Sequence, residues 1–100
     1  MKTTIQEIDG KLVAILSGEM DTAASGEAES TMRPLCDSGG KEVVIDCTEL
    51  EYIASSGLRV LLNILKKVKA GGSRIVLKNV NEVIRDVLEV TGFISLFEFE

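Results

Sequence analysis

An α/β fold with a mixed, mostly parallel sheet is predicted by three features of the sequence. Aliphatic runs recur at LVAIL (12–16), EVVIDC (42–47) and RIVLK (74–78). Each is short and bounded by turn residues, as expected of buried strands. Between them lie stretches whose apolar residues follow helical spacing, and strands alternating with helices pair in parallel. The third feature is Asp9-Gly10, a pair that favours a tight hairpin because both central residues of a type I′ turn need positive φ. The predicted order is β-β-α-β-α-β-α-β over residues 1–100, one domain with helices packed on a sheet.

The hairpin joins a strand near 3–8 to one near 11–17. Ile5 and Ile8 are out of phase, which predicts an edge position or a bulge for the first strand. The unbroken LVAIL run predicts a second strand covered on both faces. Asp21 or Thr22 can cap the next helix, whose sparse stripe is Ala24, Ala28, Met32 and Leu35 or Cys36. Pro34 should kink or end it, since an interior proline removes a donor and clashes with the preceding turn. Gly39-Gly40 closes the loop before EVVIDC, after which residues 48–55 read as a loop. A strongly amphipathic helix begins near Ser56, with Leu58, Leu61, Leu62, Leu65 and Val68 on one side and Arg59, Asn63, Lys66 and Lys67 opposite. Gly71-Gly72 stops it. After RIVLK, Asn81 caps a last helix carrying Val83, Ile84, Val87 and Leu88, and Gly92 stops that one. LFEFE at 96–100 reads as a half-exposed strand with Phe97 and Phe99 on one face.

Bulk properties narrow the function. The chain has 100 residues, 45% of them hydrophobic, and a net charge of −5. An acidic chain without a basic face predicts neither nucleic-acid nor anionic-membrane binding. Lys66, Lys67 and Lys69 fit the solvated side of the second helix. No apolar run reaches the ~18–20 residues of a membrane span, and MKTTIQEIDG lacks the apolar core of a secretory signal, so a cytoplasmic location is expected. Cys36 and Cys47 stand eleven positions apart without a CxxC pair and read as reduced core thiols. With no histidine, a Ser-His-Asp or Cys-His arrangement is excluded within the chain. Neither GxxxxGK[ST] nor GxGxxG occurs, and the nearest helical lysine after the serine pair, Lys66, lies about three turns further on. No catalysis, cofactor or metal site is expected.

Ser55-Ser56 is the feature left over. One serine suffices to cap a helix, for about 1 kcal/mol. A second can be displayed for modification, since a helix N-terminus tolerates a phosphate.

The segment DCTELEYIASSGLRVLL (46–62) resembles the signature of the STAS domain, in particular that of the bacterial anti-sigma factor antagonists. GEMD (18–21) is similar to that family's Gly-Glu-Leu-Asp, and AGGSRIVLKNVNEVIRDVLEVTGF (70–93) resembles its closing helix–strand–helix stretch. The resemblance runs over essentially the whole chain. It implies a transcription regulator that binds an anti-sigma factor, itself a serine kinase, and so frees a sigma factor. Phosphorylation of Ser55 would abolish that binding and a serine phosphatase would restore it. Ser56 and Gly57 match the rest of the motif, Asp21 matches the acidic residue of the neighbouring loop, and Ala54 stands where the family usually has Asp. Ser56 is the fallback acceptor. The implied partner surface comprises Glu19, Asp21, Thr22, Glu51, Ala54, Ser55, Ser56, Gly57, Leu58 and Arg59, with Leu58 also fitting the core stripe. A monomer or weak dimer is expected. The other reading of the resemblance is a constitutive STAS-like subunit of a larger assembly, such as a lipid-transport complex, without serine switching.

Overall fold

The computed structural model describes residues 1–100. Five strands, β1 (Lys2–Ile8), β2 (Lys11–Met20), β3 (Val43–Ile53), β4 (Ile75–Lys78) and β5 (Glu98–Phe99), lie side by side in sequence order. β1 and β2 are antiparallel and every other neighbouring pair is parallel. The hairpin turn has Asp9 at φ +52° and Gly10 at φ +76°, the left-handed pair that a type I′ turn requires. Helices α1 (Thr22–Met32), α2 (Ser55–Ala70) and α3 (Glu82–Thr91) provide the parallel crossovers.

One core holds these layers together. Ala14 and Leu16 of β2, Val43, Ile45 and Cys47 of β3, and Ile75 and Leu77 of β4 point into it. They meet Ala28 and Met32 of α1, a row of aliphatics from Leu58 to Val68 on α2, and Ile84 and Leu88 of α3. β2 is covered by helices on one face only, which corrects the expectation from LVAIL. Its alternate residues Val13 and Ile15 are partly exposed on the other face, beside a shallow depression edged by Lys11, Asp46 and Lys78. α1 buries Ser25 where the stripe suggested Ala24, which stays partly exposed. The chain leaves α1 at Met32 and passes into a 3-10 turn, Arg33–Asp37, that takes Pro34 at its start. There the missing N–H of proline costs nothing.

The larger correction concerns residues 48–55. Most of this stretch is strand: β3 continues to Ile53, pairing Ser17 with Glu49, Gly18 with Leu50, Glu19 with Tyr52 and Met20 with Ile53. Two register shifts fall in this stretch, and at each β3 carries one residue more than β2. The bulges change the side-chain period from two to three. Cys47, Leu50 and Ile53 point inward, whereas Thr48, Glu49, Glu51 and Tyr52 are all exposed. Gly18, at φ +95°, supplies the backbone geometry opposite the bulged strand. Alternation cannot reveal such a strand, so its polar residues look like a loop.

Burial also decides the cysteines. Cys47 lies in the core and its thiol is pushed up to about 12, first by desolvation and then by the neighbouring Asp46 charge. At pH 8 almost none of it is thiolate, the reactive form. Cys36 is partly exposed. A thiol reagent such as DTNB should therefore modify Cys36 in the native protein at pH 8 and reach Cys47 only after denaturant is added. Rapid modification of both in the folded protein would contradict this core.

Candidate functional site

The C-terminal ends of β2 and β3 stand together, because Met20 pairs with Ile53 and the Ala54 N–H donates to the Met20 carbonyl at 2.9 Å. α1 starts two residues beyond Met20 and α2 two residues beyond Ile53. Two helix N-termini thus open onto the same edge of the sheet, bringing the 19–23 segment beside the first turn of α2.

Gly57 makes this close approach fit. A Cβ there would lie 2.7 Å from Met20 Sδ and 2.9 Å from Ile53 Cγ1, both on buried side chains. Only glycine lets the first turn of α2 sit directly on the strand ends. Leu58, 1% exposed, continues the same contact into the core. Neither Gly57 nor Leu58 therefore offers a side chain to a surface, which corrects their placement on the implied partner surface. Burial of Leu58 follows from its position in the apolar stripe of α2.

The two serines have different environments, and neither is the cap. The N-cap is Ala54, which has cap backbone geometry (φ −86°, ψ 169°) but no side chain able to accept an N–H. Ser55 and Ser56 are the first and second residues of the helix. Ser56 Oγ lies 2.8 Å from Ser25 Oγ and 3.5 Å from Thr22 Oγ1. Ser25 places its one proton on the carbonyl of Asp21, 2.7 Å away, so Ser56 is the donor in the 2.8 Å contact. Ser56 is thus tied across to α1, against a serine only 6% exposed. Ser55 is exposed and its hydroxyl makes no hydrogen bond within the protein. It stands at the positive end of α2, beside N–H groups that no side chain caps.

The surrounding groups are mostly acidic. Asp21 Oδ1 caps α1 by accepting the Ala24 N–H at 2.8 Å. Glu19, Glu49 and Glu51 are exposed on the strand ends, and none of them enters an ion pair. The ion pairs cluster instead near the opposite ends of the strands, where Lys11 and Arg74 both meet Glu42. Asn81 fastens the far side of the site, its Oδ1 capping α3 and its Nδ2 donating to the Leu50 carbonyl at 2.8 Å. Thr22, Ala54 and Arg59 stand on or near the rim, Ala54 half-buried and the other two exposed. Tyr52, 43% exposed, also stands there; its display comes from the β3 bulge, which the sequence pattern does not reveal.

The STAS domain family model matches residues 2–100. The chain belongs to the STAS family. Among its STAS relatives, BtrV of Bordetella bronchiseptica, named as a candidate anti-sigma factor antagonist, is 37% identical over 97 residues, 97% of this chain and 84% of BtrV. An anti-sigma factor antagonist from Mycobacterium paratuberculosis superposes with a TM-score of 0.87 at 22% identity, over 98% of this chain and 83% of that one. The Bacillus cell fate determinant SpoIIAA in its phosphorylated form superposes with a TM-score of 0.74 at 19% identity, over 99% and 91% of the two chains. At these identities the superpositions speak to the fold, a STAS sheet with its helices in the same places. No helix of the chain is long and apolar enough to cross a membrane.

Three substitutions probe this arrangement of the site. Ala54→Asp should stabilise the protein by about 1 kcal/mol, because a carboxylate at the N-cap accepts an orphan N–H of the next turn without moving the backbone. A thermal melt should then rise by several degrees. Ser56→Ala should cost about 1 kcal/mol through the lost tie to α1, whereas Ser55→Ala should stay within about 0.5 kcal/mol of wild type. The reverse order for the two serines would refute the assignment of Ser56 as the structural hydroxyl.

Proposed function

We propose that the protein is an anti-sigma factor antagonist whose binding is switched off by phosphorylation of Ser55. The observation that carries this reading is the contrast between the two serines. Ser56 is committed to the α1 contact, and Ser55 presents a free hydroxyl at a helix N-terminus. The names of the relatives point the same way, toward anti-sigma factor antagonists. The partner is an anti-sigma factor with serine-kinase activity, which docks around Ser55 on Glu19, Asp21, Thr22, Glu51, Ala54, Ser56 and Arg59. Docked, it releases its sigma factor. The kinase supplies ATP and the base, and this chain supplies only the acceptor oxygen.

A phosphate on Ser55 adds about −1.5 to −2 charges at neutral pH. The fold accommodates it, because it sits against the uncapped N–H groups and the positive end of α2. The partner does not. It meets a bulky dianion among Glu19, Asp21 and Glu51, and the complex is lost through repulsion, desolvation and steric blocking. A serine phosphatase restores binding by returning the hydroxyl.

A second reading is favoured by Ala54. Without the carboxylate usual in the family, the acceptor loop lacks one polar contact for a kinase, which suits a constitutive subunit of a larger assembly. Phosphopeptide mass spectrometry on protein from its native cells, alongside a Ser55→Ala strain, separates the two. Phosphate on Ser55, absent from the mutant, is the expected result, together with loss of anti-sigma factor binding at least tenfold in Ser55→Asp. No phosphate under several growth and stress conditions would favour the constitutive subunit. Undiminished binding by phosphorylated protein would refute the release mechanism.

A further inference from the structure

We infer that Tyr52 is a partner-contacting anchor that selects an arginine-bearing, basic docking surface; the inference rests on the antagonist reading of the same site. Tyr52 is the only tyrosine of the chain, whose aromatic content is 4%. The core takes no part of its role: its inward neighbours on β3 are Leu50 and Ile53, both 1% exposed, while Tyr52 itself is 43% exposed. The bulge between Leu50 and Tyr52 is what turns it outward, together with Glu51. It stands opposite Glu19 in the β2–β3 register and three residues before Ser55.

An exposed ring paired in register with Glu19 and next in sequence to Glu51, neither of them in an ion pair, is a specific combination. A guanidinium stacks on the face of a phenol and pairs with a carboxylate through the same planar group. A lysine or an apolar side chain would use only one of these features. Tyrosine also loses little conformational freedom on docking, which is why tyrosine and arginine dominate the energetic centres of interfaces. The unpaired charge of Glu19 and Glu51 sets the sign of the partner surface, and the ring fixes where on that surface the arginine must lie. Proximity in sequence to Ser55 puts this contact within the field of the added phosphate.

The test uses the anti-sigma factor that co-purifies with the tagged wild-type protein from its native cells, then expressed alone and titrated by calorimetry. Tyr52→Thr removes the ring and puts in its place a β-branched residue that is equally at home in a strand. It should fold with an unchanged thermal midpoint and bind at least tenfold more weakly. Tyr52→Phe, which keeps the ring face, should bind within about threefold of wild type. Val90→Ala, at the most exposed large apolar residue of the chain (88%), should bind as wild type does. Equal affinity of Tyr52→Thr and wild type would overturn the anchor while leaving the antagonist reading intact. A tenfold loss in Tyr52→Phe would also overturn it, by assigning the contact to the hydroxyl. If no anti-sigma factor binds the wild-type protein, the antagonist reading falls and the anchor with it.

Discussion

The seating of α2 on the ends of β2 and β3 is the constraint on which the rest of the site depends. Glycine at position 57 allows the first helical turn to rest on Met20 and Ile53 without an intervening side chain. This fixes the height of the helix start above the sheet. At that height Ser56 reaches Ser25 of α1, and Ser55, one residue earlier, clears the surface. A larger residue at position 57 would press on Met20 and Ile53 and strain the seating that brings Ser56 within 2.8 Å of Ser25. The difference between the two serines is thus a consequence of core packing and follows from no difference in chemistry between them.

The bulged part of β3 is the second determinant, and it works with the first. A regular strand would alternate, leaving Glu51 and Tyr52 on opposite faces. Two extra residues in β3 let Leu50 and Ile53 hold the core while Glu51 and Tyr52 both face outward. Asn81 closes this arrangement from the other side, since one amide caps α3 and ties down the Leu50 carbonyl. The acidic edge is therefore built on hydrogen-bonded backbone, so its Cα positions are set by the sheet and by Asn81.

Legibility in the sequence followed the strength of the local signal. Helical spacing on α2 and α3, the Asp9-Gly10 turn, the break at Pro34 and the cap at Asn81 are all local, and each appears in the structure where the pattern puts it, except that Val83 of the α3 stripe is exposed while Ile84 and Leu88 are buried. The extension of β3 was not legible, because a bulge destroys the period that identifies a strand. Covering on one face or both was equally hidden: a five-residue aliphatic run looks the same whether helices pack on one side of the sheet or two, and only topology decides. The pairing of Ser56 with Ser25 spans 31 residues and had no sequence signal. The nearest hint was a serine in the first turn of α1, next to the Ala23-Ala24 pair. Assigning the cap of α2 to one of the serines failed for a related reason, since capping preference ranks residue types and Ala54 ranks low.

The missing cap gives the site a particular energetic character. In a helix whose N-cap carboxylate already accepts its first N–H groups, a phosphate on the next residue competes with an existing negative charge. Here Ala54 leaves those donors without a side-chain acceptor. On the proposed reading of the site, an anion on Ser55 would meet the uncapped donors and the positive end of its own helix. The same anion would add to the negative charge that Glu19, Asp21 and Glu51 bring to this edge of the sheet. Ala54 therefore bears on two separate quantities, the stability of an anion on the next residue and the polar contacts the loop offers to a docking protein.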